Sequence, residues 1–269
     1  MFQKTKIFNN RNSQAVRLPK EFRFEGKEIV VRKVANGVSL IPQYKNTWEN
    51  WFYNLEEFFE DFTKNMEPYM EEWKKLDLKF NGISTGFLGS AEQIRIVQEF
   101  ISEFKSEDTL VIVDPVMGDY GKTYSTYTEE MCQRMKQLAC KADILTPNLT
   151  EACILTDTPY KEDWKVAEVI ELAEKLSEQG PEKVVITGVS QKSYICNFCY
   201  EKGTEPSIVK TQKVGTQRSG TGDIFSAIIS ADAVNGVNFH DSVKRASLFI
   251  KKCILRSIEL DIPVTDGVC

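Results

Sequence analysis

Residues 109–124 read TLVIVDPVMGDYGKTY. The short run Leu110 to Val113 is apolar and rich in β-branched residues, and Asp114-Pro115 stops it, as expected of a buried strand that ends in a carboxylate. The same alternation continues on both sides. Strands are expected at Phe80 to Thr85, Thr109 to Val113, Asp143 to Thr146, Lys183 to Thr187 and Ser193 to Tyr200. Helices are expected near 91–105, 128–140, 163–179, 222–234 and 240–257. Strands separated by 10 to 15 helical residues imply right-handed crossovers, hence an α/β fold with a mostly parallel sheet covered on both faces.

In such sheets ligands gather at the carboxyl ends of the strands. The residues that follow the strands are therefore the ones to read. They are Asp114 to Asp119 after the second strand, Thr146-Pro147-Asn148-Leu149-Thr150-Glu151 after the third, and Thr187-Gly188 after the fourth. Gly220-Thr221-Gly222-Asp223 then leads directly into a helix. Its glycines let a phosphate approach the backbone, and the helix N-terminus supplies N–H groups and a favourable dipole. Asp223 beside such a phosphate has the chemistry of a general base for an attacking hydroxyl. Asp114, Asp119 and Glu151 are expected to hold a metal bridging the phosphates, directly or through water. No GxxxxGK[ST] occurs, so a P-loop is excluded.

Composition narrows the class. The 269 residues carry 34 Lys and Arg against 39 Asp and Glu, a net charge of −5. The distribution is uneven: residues 1–45 hold ten Lys or Arg against three Glu. A basic head on an acidic body suggests two units with different partners. A single histidine, His240, excludes a Ser-His-Asp hydrolase and a histidine-rich metal centre. Seven cysteines make no even framework, and Cys196-Asn-Phe-Cys199 reads as a structural pair on a strand. No apolar run reaches membrane-spanning length and no signal-peptide core opens the chain, so a cytoplasmic protein is expected.

The head reads as short strands, Thr5 to Phe8, Ala15 to Leu18, Glu28 to Lys33 and Gly37 to Ile41, with a tight turn at Asn36-Gly37. So small a β unit closes a core most easily as a dimer. From Asn46 to Phe62 the pattern predicts a helix with an apolar stripe of Trp48, Trp51, Phe52, Leu55, Phe58, Phe59 and Phe62 and an acidic opposite face. Such a helix packs on a neighbour or docks into a partner's groove.

Two resemblances follow from these residues. From about Phe58 onward, TGFLGSAEQI (85–94), VDPVMGDYGKTY (113–124), ADILTPNLTEA (142–152) and SGTGDIFSA (219–227) resemble a pyridoxal kinase of the ribokinase-like superfamily. The resemblance implies transfer of the γ-phosphate of ATP to the 5′-hydroxymethyl group of a vitamin B6 compound. By it Asp223 is the catalytic base, and Gly220, Thr221 and Gly222 form the anion hole. It further implies ATP contacts at Asp114, Glu151, Thr187 and Gly188. Mg²⁺ would sit at Asp119 and Glu151, and a potassium or sodium ion at Asp114 and Thr146. A hydroxymethylpyrimidine kinase shares much of this motif order and is the alternative substrate class.

The head, FNNRNSQAVRLPKEFRF (8–24) with the Trp48 to Phe52 segment, resembles a VapB-type antitoxin with an AbrB-like swapped-hairpin domain. That resemblance implies a homodimer that binds operator DNA through Arg11, Ser13, Gln14 and Arg17, and a PIN-domain toxin held by residues 1–62. It also admits a reading in which the antitoxin is the working unit and the kinase part a passenger. The resulting division is 1–45 for the DNA-binding head, 46–62 for the toxin-binding helix and junction, and 63–269 for the kinase-like domain. A kinase of this family carries a further strand and a substrate-lining segment ahead of the region resembled here. The ring pocket is therefore expected to be incomplete, and a sheet edge to be exposed.

Overall fold

The computed structural model describes residues 5–10, 13–20, 23, 29–34, 37–42 and 61–268. These fall into two compact units, Met1–Asp61 and Phe62–Cys269. Arg11, the Asn36 turn and most of the helix expected over 46–62 lie outside the described residues.

In the first unit β1 (Ile7–Asn10) pairs antiparallel with β2 (Ser13–Val16), and β3 (Ile29–Val34) with β4 (Gly37–Pro42). Each hairpin is its own two-stranded sheet. In the first hairpin, β1 begins two residues later than expected and β2 two residues earlier, which sets Phe8 opposite Ala15. Thr5 Oγ1 donates to Arg17 O at 2.5 Å, and the Arg17 guanidinium lies 6.0 Å from the centre of the Phe8 ring.

The second unit is built on a six-stranded sheet. Its strands are β5 (Gly82–Thr85), β6 (Leu110–Val113), β9 (Ile144–Leu145), β10 (Lys183–Gln191), β11 (Tyr194–Glu201) and β12 (Ser207–Gln212), in spatial order β12-β11-β10-β9-β6-β5. A small hairpin, β7 (Gly118–Asp119) with β8 (Lys122–Thr123), stands apart from the sheet. β5, β6, β9 and β10 are mutually parallel, but β10, β11 and β12 run antiparallel. Five of the six strands therefore run the same way, as expected of a mostly parallel sheet, and β11 alone is reversed, which makes the sheet mixed. Only Lys192 and Ser193 separate β10 from β11, so no crossover fits between them and a hairpin is required. β5 forms one edge of the sheet as described.

Among the described residues seven α-helices accompany the sheet: α1 (Thr63–Lys75), α2 (Ala91–Phe104), α3 (Glu129–Ala139), α4 (Leu149–Leu155), α5 (Val166–Glu178), α6 (Thr221–Val234) and α7 (Phe239–Glu259). Successive strand residues alternate between two apolar layers. Val111, Val113, Leu145, Val184 and Ile186 join Met135, Leu138 and Leu172 in one layer. Ile112, Ile144 and Val185 join Phe225, Ile229 and Val243 in the other. Both sheet faces are therefore dry, which is why the central strands read as unbroken apolar runs. Each fully buried Ile, Leu or Val contributes roughly 1.5–3 kcal/mol.

Cys196 and Cys199 lie three residues apart on β11 and face opposite layers, as free buried thiols. Their spacing on a strand rules out a shared ligand. Burial pushes the Cys199 thiol up to about 12. Two helices escaped the sequence reading. α1 buries no residue and contains Pro68, and α4 has only seven residues. Among the described residues no helix is long and apolar enough to cross a membrane.

Candidate active site

Four strand ends and one helix start meet on the same rim. The N–H of Asp114, just beyond β6, donates to Thr85 O at the end of β5 (3.3 Å), and the N–H of Thr146, just beyond β9, donates to Val113 O (3.1 Å). β10 reaches the rim at Thr187, whose N–H donates to Pro147 O at 2.8 Å and which bridges in parallel to Asn148. There the β10–β11 register shifts. Gly188 takes φ +72° with open space at its Cβ position, and its N–H donates to Asn197 Oδ1 at 2.9 Å.

α6 starts at this rim. Gly220 caps it at φ +84°, a left-handed conformation that favours glycine. Ile224 N–H donates to Gly220 O at 3.2 Å, the first bond of the helix. The N–H groups of Thr221, Gly222 and Asp223 consequently have no acceptor within it and are free to receive an anion. A Cβ placed on Gly222 would stand 4.0 Å from Asp114 Oδ2, so the helix start faces the end of β6 at close range. Asp223, in the first turn, is exposed.

Asp114 is 6 % exposed, and its carboxyl is pushed up to about 7. Burial is the main cause and the Asp223 charge adds to it, while the Ser226 and Thr146 hydroxyls oppose it. The hydroxyls of Thr85 and Thr146 are themselves buried without a well-formed hydrogen bond.

Glu151 is the most heavily used acid of the set. It closes a capping box at the start of α4: Asn148 Oδ1 accepts Glu151 N–H at 3.0 Å, and Glu151 Oε2 accepts Asn148 N–H at 2.7 Å. Its other oxygen accepts the N–H of Met117 at 3.1 Å. Burial and the Asp114 charge hold its carboxyl well above the usual range, against the pull of these two N–H donors. Asp119, on the β7–β8 hairpin, is half-buried; its Oδ1 accepts Tyr120 N–H at 2.9 Å and its Oδ2 accepts Gln217 Nε2 at 3.2 Å. Tyr120 also donates its hydroxyl to Gln217. The hairpin therefore touches the loop that leads to Gly220. Asn148 Nδ2, donating to Gly118 O at 2.8 Å, anchors its base.

The structure thus gathers Asp114, Thr146, Gly220, Thr221, Gly222 and Asp223 around one cradle, with Glu151 buried behind it and Asp119 on the flap. Thr187 and Gly188 form the next segment of the rim. Among the described residues no three Asp, Glu, His or Cys side chains form a ready-made metal cage. Glu151, expected to hold the metal directly or through water, gives one lone pair of each oxygen to a backbone N–H group. Sequence reasoning placed Asn148 on the rim without its capping role and overlooked Gln217 and Arg218. Asn148 had a signal in the Asn-x-x-Glu spacing of a capping box; the other two had none.

Comparison with known proteins places the chain. The sequence profile of phosphomethylpyrimidine kinase matches residues 71–265. A pyridoxine/pyridoxal/pyridoxamine kinase of Bordetella avium is 31 % identical over 181 residues, which cover 64 % of this chain and 59 % of that one. The chain thus spans about three fifths of that relative's length. A crystal structure of a candidate phosphomethylpyrimidine kinase from Bacteroides thetaiotaomicron superposes with a TM-score of 0.75 at 32 % identity, covering 89 % of this chain and 78 % of that one. Another crystal form of that protein, with pyridoxal, gives a TM-score of 0.70 at 33 % identity, over 85 % and 76 % of the two chains. Separately, virulence-associated protein B of Dichelobacter nodosus is 40 % identical over 67 residues, 25 % of this chain and 87 % of that protein.

Proposed function

The chain belongs to the phosphomethylpyrimidine kinase family, and from that premise we propose that it phosphorylates the 5′-hydroxymethyl group of a vitamin B6 compound with ATP. The observation that carries this reading is the opposition of Asp114 and Asp223 across the Gly220–Gly222 cradle. The free N–H groups of Thr221, Gly222 and Asp223 receive the transferring phosphoryl group, where negative charge must be held in the transition state. Asp223, exposed at the mouth, takes the proton of the attacking hydroxyl as its oxygen bonds to the γ-phosphorus and ADP leaves. Thr187 and Gly188 line the nucleotide side, where an open glycine admits a flat or bulky group.

Mg²⁺, a hard cation that keeps waters and takes phosphate oxygens, fits an acid with accessible oxygens better than a dedicated cage. Asp119 suits that role directly and Glu151 only through a remaining lone pair or water. When bound, the ion neutralises charge on the phosphates. The buried Thr146 hydroxyl beside Asp114 suits a potassium or sodium ion. Pyridoxal as substrate is supported by the likeness to the B. avium pyridoxine/pyridoxal/pyridoxamine kinase and by the pyridoxal in the B. thetaiotaomicron crystal. The test is formation of pyridoxal 5′-phosphate from pyridoxal, ATP and Mg²⁺ by the full chain, with hydroxymethylpyrimidine as competing substrate. Preference for the pyrimidine, or no turnover of either, overturns it.

A second reading concerns the head and is favoured by the 40 % identity to virulence-associated protein B. Residues 1–45 form a dimeric DNA-binding unit of the swapped-hairpin type, with Arg11, Ser13, Gln14 and Arg17 at the DNA and a PIN-domain toxin as partner of residues 1–62. Arg17 follows β2 and is exposed. Its expected signature is a DNA affinity that falls steeply with salt and is lost on neutralising Arg11 and Arg17. Salt-independent binding overturns it.

A further inference from the structure

The loop that carries the anion cradle is held from behind by a buried arginine. Arg218, two residues before Gly220, is 6 % exposed. Its guanidinium donates to three main-chain carbonyls of one short stretch: Nη1 to Pro263 O at 3.1 Å and to Gly267 O at 3.0 Å, and Nη2 to Ile262 O at 2.9 Å. Its Nε–H has no acceptor among the described residues. All three bonds go to neutral oxygens. A buried guanidinium is costly unless its donors are met, so its placement depends on that stretch being in position.

Packing on either side joins the same two segments. A Cβ on Gly267, which sits at φ +79°, would come 2.9 Å from Ser219 O. One on Gly215 would come 2.7 Å from Ile258 Cδ1, and one on Gly220 3.7 Å from Val268 Cγ2. The back of the 215–220 loop therefore rests on the end of α7 and on the turn that follows it. Arg218 O also accepts the Thr221 hydroxyl at 3.3 Å, which extends the connection into the first turn of α6.

An anion cradle works only if its N–H groups are already aimed when the ligand arrives, since the preorganisation is what makes them effective. We infer that Arg218 and the 262–267 turn form a clasp that positions the Gly220–Gly222 loop for the nucleotide phosphates. Arg218 is thus a positioning residue that touches neither substrate, and this role rests on the nucleotide reading above. Lysine keeps the charge but not the planar fork that reaches three carbonyls. Gly267→Ala attacks the same contact from the other segment.

The experiment uses the full chain as wild type, Arg218→Lys, Arg218→Gln and Gly267→Ala, with the exposed Arg256→Lys as control. Amide hydrogen exchange of residues 215–222 is followed without nucleotide, and ADP binding by calorimetry. Arg218→Lys and Gly267→Ala are expected to speed exchange in that loop several-fold and to raise the Kd for ADP about tenfold, with KM for pyridoxal unchanged. A merely structural role would lower the amount of active protein and leave the ADP Kd of the folded fraction at the wild-type value. Wild-type exchange and ADP affinity in both variants overturn the clasp, even if Arg218→Gln fails to fold. A wild-type chain that binds no ADP overturns the nucleotide reading, and this assignment with it.

Discussion

Glu151 Oε1 accepts the main-chain N–H of Met117 at 3.1 Å, joining the start of α4 to the strap between β6 and the β7–β8 hairpin across 34 residues of sequence. With Asn148 N–H on its other oxygen, this one carboxylate fixes the rim from which Asp119 and Asn148 project. Glutamine in its place would turn an N–H₂ group toward one of two N–H donors. Glu151→Gln is expected to lower stability by about 1–3 kcal/mol, read as a fall in thermal midpoint. Glu168, which caps Lys165 in the same way at the exposed start of α5, is the control and should cost less. Equal losses would show that burial of Glu151 is not what matters.

Asp223→Ala should reduce the rate of phosphoryl transfer by about 10²–10⁴-fold, the range for a lost general base, while ADP still binds. Steady-state turnover and calorimetry together check this. Turnover within a few-fold of wild type would remove Asp223 from the base role.

The Asp114 carboxyl is pushed up to about 7 in the folded chain, against roughly 3.9 for an unperturbed aspartate. Between those values the folded state holds a proton that the unfolded state has released, so stability falls as pH rises from about 4 to about 7. Glu151, also raised, acts in the same direction. Denaturant titrations across that window, without added ligand, should slope downward with pH, and less steeply in Asp114→Asn. A variant as steep as wild type would assign the slope elsewhere.

Gly220 and Gly222 should fail in opposite ways. Alanine at Gly220 must take φ +84° and is expected to lower stability by about 1–2 kcal/mol. Alanine at Gly222 meets no clash, with Asp114 Oδ2 at 4.0 Å. It leaves stability intact but puts a methyl group where the phosphate approaches, raising the ADP Kd about tenfold. Thermal melts and calorimetry on the two variants separate these effects.

The apolar runs at 110–113 and 184–186 announced buried strands, because residues facing two dry layers must all be apolar. The Gly220-Thr221-Gly222-Asp223 start of α6 was equally legible, since it is a local conformation whose residues are adjacent in sequence. β12 was missed, and the hairpin after β10 was hidden because the strand runs on past Thr187 to Gln191, leaving only Lys192 and Ser193 before β11. Glu151 shows the same limit within the site. Its presence on the rim followed from its position after β9 and its cap from the Asn-x-x-Glu spacing, but its use as a strap anchor needed Met117 brought beside it.

The α/β alternation, the residues at the strand ends and the glycine-rich start of α6 are properties of short stretches and of their order, and so are written in the amino-acid sequence. That Asp114 faces Gly222, and that the turn at 262–267 lies under Arg218, are not. Such contacts join segments from about 45 to more than 100 residues apart along the chain. They exist only once the burial of two apolar layers has folded the sheet and its helices together, and no local signal encodes them.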